Sequence, residues 1–133
     1  MKNKSLAQDY ITRAENRISA LEALMNKKSW ADVVREAQEI VELALKAVLR
    51  KSNIEVPHVH DVGQILLENK NLLPSAISSK VKRLAKISHI LRRDRELAFY
   101  GSEDLTPSEF YQQEDAQEAL SFAREVVKIV KST

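Results

Sequence analysis

Between Ser29 and Arg50 apolar residues recur in two adjoining stripes. Trp30, Val33, Ala37, Ile40, Ala44 and Ala47 follow one helical face, and Val34, Val41, Leu45 and Val48 lie beside it. Polar residues keep a narrow arc that includes Asp32, Glu36, Glu39 and Lys46. A helix apolar over so much of its circumference is surrounded by other elements. Its ends are marked as well. Ser29, with Asp32 three residues later, reads as a variant of the capping box. Arg50 and Lys51 put positive charge at the negative end of the dipole. The stretch predicts the central helix of an all-α bundle.

The rest of the chain supplies its neighbours. Leu6, Tyr10, Ala14, Ile18, Leu21 and Met25 step by three or four residues and predict a first helix over Ser5–Met25. Only Asn26–Lys28 separate it from Ser29, so the two helices are antiparallel neighbours. Pro57 stops the connector after the second helix. Asp61 with Gln64 predicts a cap for a short third helix, Val62 to Asn69, with Val62, Ile65 and Leu66 inward. Pro74 suits the first position of a fourth helix running to Tyr100, with Gly101 as its C-cap. On that helix Ile77, Val81, Leu84, Ser88, Leu91, Arg95 and Ala98 form a stripe broken by two polar side chains. Thr106 and Glu109 read as a capping box around a single turn, and Gln113 to Lys131 as the last helix. The fold expected is an up-and-down bundle of four long helices plus one short one, in a single domain over residues 1–133.

Composition narrows the function. The chain has 133 residues, no cysteine, two glycines and a net charge of +2. Disulfides and thiolate metal sites are excluded. The charge is too small for a dedicated nucleic-acid binder, so phosphate binding must rest on a local patch. No apolar run approaches the ~20 residues of a membrane span, and Met1–Ser5 does not open a signal peptide. A cytoplasmic protein is expected.

The patch is on the fourth helix. Lys82, Lys86, His89 and Arg93 share a face, and Lys80, Arg83, Arg92 and Arg95 add charge nearby. This is either a phosphate-binding stripe or a solvated face neutralised by acids between Glu103 and Glu118. Arg95 on the apolar stripe needs a partner if buried, with Glu42 one candidate. It belongs either to a structural ion pair or to a binding groove. Tyr100, Phe110 and Tyr111 flank the long loop, placed to stack on a base or to pin the loop to the bundle. His58, His60 and Asp61 are too few for a zinc site, because the only other histidine is His89. No metal and no cofactor are expected.

Several stretches, taken in order, carry a family resemblance. They are Glu42–Ala47, His60-Asp61-Val62, Leu66-Leu67, Arg95–Gly101, Tyr111 and Glu114-Asp115-Ala116 before the alanine-rich last helix. Together they resemble the HEPN domain (higher eukaryotes and prokaryotes nucleotide-binding). The resemblance implies a helical bundle that dimerises, often working beside a small nucleotidyltransferase as a toxin–antitoxin pair. Other members are metal-independent endoribonucleases with an arginine followed, four to six residues on, by a histidine. Here Arg92, Arg93 and Arg95 offer the arginine, but Leu97 to Ser102 contains no histidine. His89 precedes the arginines and cannot complete the motif in that order. The reading is a non-catalytic homodimer that binds a nucleotidyltransferase, with a nucleotide or RNA as a further ligand. Its binding residues are Lys82, Lys86, His89, Arg92, Arg93, Arg95 and Tyr100. The alternative is a divergent endoribonuclease toxin.

Overall fold

The computed structural model describes residues 2–56, 61–100 and 106–133, the side chains of residue 2 and of residues 94–100 excepted. The long helices are α1 (Lys2–Asn26), α2 (Trp30–Lys51), α5 (Val81–Tyr100) and α7 (Gln113–Lys131). Between them lie α3 (Val62–Glu68), a 3-10 turn (Lys70–Leu72), α4 (Ser75–Ser78) and α6 (Pro107–Phe110). Among the described residues there is no strand. The expected all-α bundle is present.

Cross-links fix the directions of the helices. Asn3 at the start of α1 donates to Asn53 just beyond α2 (3.1 Å). Glu22 and Glu15 of α1 meet Arg124 and Lys131 of α7 in reverse order. Arg83, early in α5, holds Glu125, late in α7. Lys51 at the end of α2 donates to the carbonyl of Thr133 after α7. So α1 and α5 run one way, and α2 and α7 the other. The two parallel helices meet across the bundle, and α2 also packs on α1 and α5.

That arrangement follows from the burial of α2. Twelve of its 22 residues are buried, from Ala31 to Leu49. Only Asp32 and Lys51 are exposed along it, the rest being half-buried. Small buried residues on both helices let neighbouring axes approach. Ala37, Ala44 and Ala47 on α2, and Ala116, Ala119 and Ala123 on α7, are at most 2% exposed. Larger side chains, including Leu45, Leu49, Leu84, Ile87 and Leu91, complete one core drawn from all the long helices.

The element ends differ from expectation in instructive ways. The first helix begins at Lys2 rather than Ser5. It ends with Lys28 in the left-handed region (φ 59°), which lets Ser29 N–H reach the Leu24 carbonyl (3.0 Å). Asn53 repeats the device after α2, with Ile54 N–H on the Leu49 carbonyl (2.8 Å). Ser29 makes no side-chain cap. Its hydroxyl donates to Asp32 instead (2.6 Å), so the two side chains satisfy each other and leave the amides alone. The true box is at α7, where Gln112 and Asp115 bond each other's backbone amides. Glutamine is not a usual N-cap residue, which hid it. At α6, Thr106 accepts from the Glu109 amide and donates to the Glu109 carboxylate, so half of the expected box forms.

The fourth helix expected over Pro74–Tyr100 is two helices. Pro74 is extended (ψ 149°) and caps α4 rather than joining it. Ser78 and Ser79 turn their hydroxyls back to the carbonyls of Ser75 and Ala76. Serine competes with the helix ladder in this way. Lys80 N–H takes the Ile77 carbonyl (2.9 Å), a tightened turn, before α5 resumes at Val81. Pro57, His58 and His60 and the Gly101 cap lie outside the described residues.

Because Ala44 is 1% exposed in the centre of this packing, a leucine there has nowhere to go. Ala44→Leu is expected to destabilise the protein by ~1–3 kcal/mol. A thermal or urea melt checks it, and a wild-type transition would deny α2 its central place.

Candidate binding surface on the fifth helix

The third helix is held on α5 by the absence of a side chain. A Cβ on Gly63 would lie 3.0 Å from the Ala85 Cα, 3.2 Å from the Ala85 carbonyl and 3.2 Å from the Ser88 Cβ. This explains Ser88, the polar residue in the apolar stripe. It is 8% exposed, small, and lies directly under α3. Asp61 caps α3, its Oδ1 accepting from the Gly63 amide at 2.9 Å. Gln64 is not its reciprocal partner and reaches Glu68 instead.

This packing places Asp61 and Gln64 beside the outer face of α5. With Leu67, Lys82, Lys86 and His89 they line an open cleft of about 350 Å³. Lys82, Lys86 and His89 are all exposed. His89 Nδ1 stands 4.0 Å from Asp61 Oδ2. Three side chains that carry or accept a proton, around a solvent-open hollow, suit an oxyanion such as phosphate. A larger hollow, about 600 Å³, lies on the side of α3 toward Ile54. Its polar lining includes Glu55, Asp61 and Glu68, so its charge is wrong for an anion.

The other sequence candidates divide. Arg93 is exposed near the stripe's far end. Arg92 is exposed too, but its charge acts on Glu42 of α2 and so belongs to a second face. The Arg95 and Tyr100 side chains lie outside the described residues, so the expected Arg95–Glu42 pairing does too. Arg83 leaves the stripe. It forms a two-pronged pair with Glu125 (2.9 and 2.9 Å) and covers the Phe122 ring at 5.4 Å. That bond holds the Glu125 carboxyl below its ordinary range and raises the Arg83 guanidinium. Tyr111 is buried and meets Phe110 edge-on at 5.0 Å, so it pins the segment before α7. Asp61, Gln64 and Leu67 were missed as site residues. Only the packing of α3 on α5 brings them there, and the only local signal was a glycine at Gly63.

Glu42 marks the second face. Burial pushes its carboxyl up, but Gln38 (2.8 Å), Lys46 (3.1 Å) and the charge of Arg92 outweigh that, and the net shift is downward. Gln38 is 7% exposed, and its Oε1 has no hydrogen-bond partner among the described residues.

Among known families, the HEPN domain matches this chain over residues 7–133. No curated protein and no solved structure matches it significantly.

Two outcomes follow from this geometry. Gly63→Ala forces the backbone of Ala85 away from α3 and is expected to cost ~1–3 kcal/mol. Chemical denaturation checks it, and an unchanged midpoint would show that α3 is not seated on α5. Glu42 has a lowered folded-state pKa, so its contribution is present above the ordinary carboxylate range and lost as pH falls through the folded value. Glu42→Gln is therefore expected to flatten the acid side of the stability–pH profile, measured by urea melts at stepped pH.

Proposed function

The chain belongs to the HEPN domain family, and from that premise we propose that it is a non-catalytic homodimer serving as partner of a small nucleotidyltransferase. Family membership ties it to nucleotide- and RNA-related function in general. In this reading the pair works in the cytoplasm as a toxin–antitoxin-like system. The outer face of α5 holds the phosphate of a nucleotide or RNA through Lys82, Lys86 and His89, with Arg93 extending it; Arg92, Arg95 and Tyr100 are further binding residues toward the end of the same helix. Among the described residues no helix is long and apolar enough to cross a membrane.

The observation that carries the non-catalytic reading is chemical. Cleavage by 2′-hydroxyl attack needs a base for that hydroxyl and an acid for the leaving oxygen, each worth ~10²–10⁴-fold. Arginine stabilises the phosphorane charge but does not shuttle protons near neutrality. Where the nuclease members place histidine, this chain has Leu97, Ala98, Phe99, Tyr100, Gly101 and Ser102. A free tyrosine titrates near ~10 and is a poor base at neutral pH. The exposed lysines around the α5 cleft support a binding role instead.

The test uses fluorescein-labelled single-stranded RNA with and without EDTA. The RNA is expected to remain intact and to bind with salt-dependent affinity. Lys82→Ala with Lys86→Ala is expected to weaken binding and to reduce the salt slope by about 1.4, since each phosphate contact to a single strand contributes about 0.7. RNA cut by wild type, and spared by Arg95→Ala, would replace this reading with a divergent endoribonuclease. Co-expression with the product of the neighbouring reading frame tests the partner, and a product that is not a nucleotidyltransferase, or that fails to co-purify, counts against it.

A further inference from the structure

Between α1 and α5 the bundle covers one side of α2 only in part: Asp32 is exposed there and the rest of that side is half-buried. Along that side run Asp32, Glu36, Glu39, Leu43, Lys46 and Arg50, spaced by alternating four and three residues. This is the period of a helix seam that pairs with another helix. Seams normally carry apolar residues, and here only Leu43 does. The others are ordered by sign, with three acids before Leu43 and two bases after it.

That order has a symmetry. Glu39 and Lys46 stand four residues before and three after Leu43, and Glu36 and Arg50 seven before and seven after. If α2 faces a second α2 running in the opposite direction, with Leu43 at the crossing, Glu39 meets the other chain's Lys46. Glu36 then meets the other chain's Arg50, and each contact occurs twice. A parallel pairing would set acid on acid and base on base. A twofold, self-complementary patch of this kind fits a second copy of the same chain.

We propose that the homodimer of the preceding reading forms through this strip, antiparallel, with Leu43 on or near the twofold axis. The surroundings support it. Leu43 is only partly buried although it adjoins the core. Arg50 has no carboxylate partner among the described residues, and its Nε lacks an acceptor there. Glu36 is steadied by Arg17 of α1 (2.7 Å), and Lys46 by Glu42 (3.1 Å). Those pairs hold the charges in place before a second chain arrives. The partner's carboxylate and ammonium then extend each pair into a network. Contact area around Leu43 supplies affinity, and the charges choose register and direction.

The experiment is a charge exchange read by sedimentation velocity at low and moderate salt. Wild type is expected at twice the 15.1 kDa chain mass. Glu39→Lys places two like pairs across the axis, and so does Lys46→Glu. Each alone is expected to raise the dimer dissociation constant at least about tenfold, because like charges set opposite one another across an interface repel. In an equimolar mixture of the two variants, a dimer with one chain of each kind sets an ammonium against a carboxylate at both contacts. The mixture is therefore expected to restore the dimer as a heterodimer. That recovery also shows that both variants fold. Variants that dimerise like wild type, or a mixture that stays monomeric, overturn this surface while leaving the homodimer standing. A monomeric wild type overturns the homodimer itself and leaves the strip to a different protein.

Discussion

Everything in this fold depends on burying α2 on three sides at once. A helix enclosed in that way must present small residues where a neighbour's axis comes close, and Ala37, Ala44 and Ala47 do so. The last helix buries small residues too, at Ala116, Ala119 and Ala123. The close parallel pair then forms a spine. The other two long helices run antiparallel to it, one on each flank. Interiors packed this tightly tolerate little change of volume, so the alanines are as specific as the leucines around them.

The same enclosure decides where function can reside. Apolar packing takes most of α2 and the inner faces of α5 and α7, and two of the polar surfaces that it leaves bear on function. One is the outer face of α5, where α3 is pressed close enough by Gly63 to add Asp61 and Gln64 to the lysines. The other is the open side of α2, with Glu42 and Gln38 beside the charge of Arg92. One helix therefore serves both surfaces. A ligand on the outer face and a second chain on the inner one need not compete for the same side chains.

Much of this was legible in the sequence, for a physical reason. A helix that must bury most of its circumference writes that demand into every third or fourth position, as α2 does. The long helices and the inward residues of α3 follow from that signal. What escaped was local hydrogen-bond competition. Ser78 and Ser79 bend back on their own turn and split a helix whose apolar pattern runs on past them from Ile77 to Val81 and Leu84. Ser29 prefers Asp32 to the backbone. The candidate site was half legible. The spacing of Lys82, Lys86 and His89 is a property of one helix. The loss of Arg83 to Glu125, and the arrival of Asp61, are properties of two helices meeting, which no single-segment pattern contains.

The enclosure of α2 is tested most directly by native-state amide hydrogen exchange, resolved by residue. Amides that open only when the whole molecule unfolds mark the core, and those that open locally mark its margins. The account predicts that amides from Val33 to Leu49 exchange slowest in the chain, with the global unfolding free energy. Those of α3 and α4 should exchange sooner, through local opening. Amides of α2 that exchange before those of α1 or α7 would contradict it, because the helix on which the others pack would then be opening first.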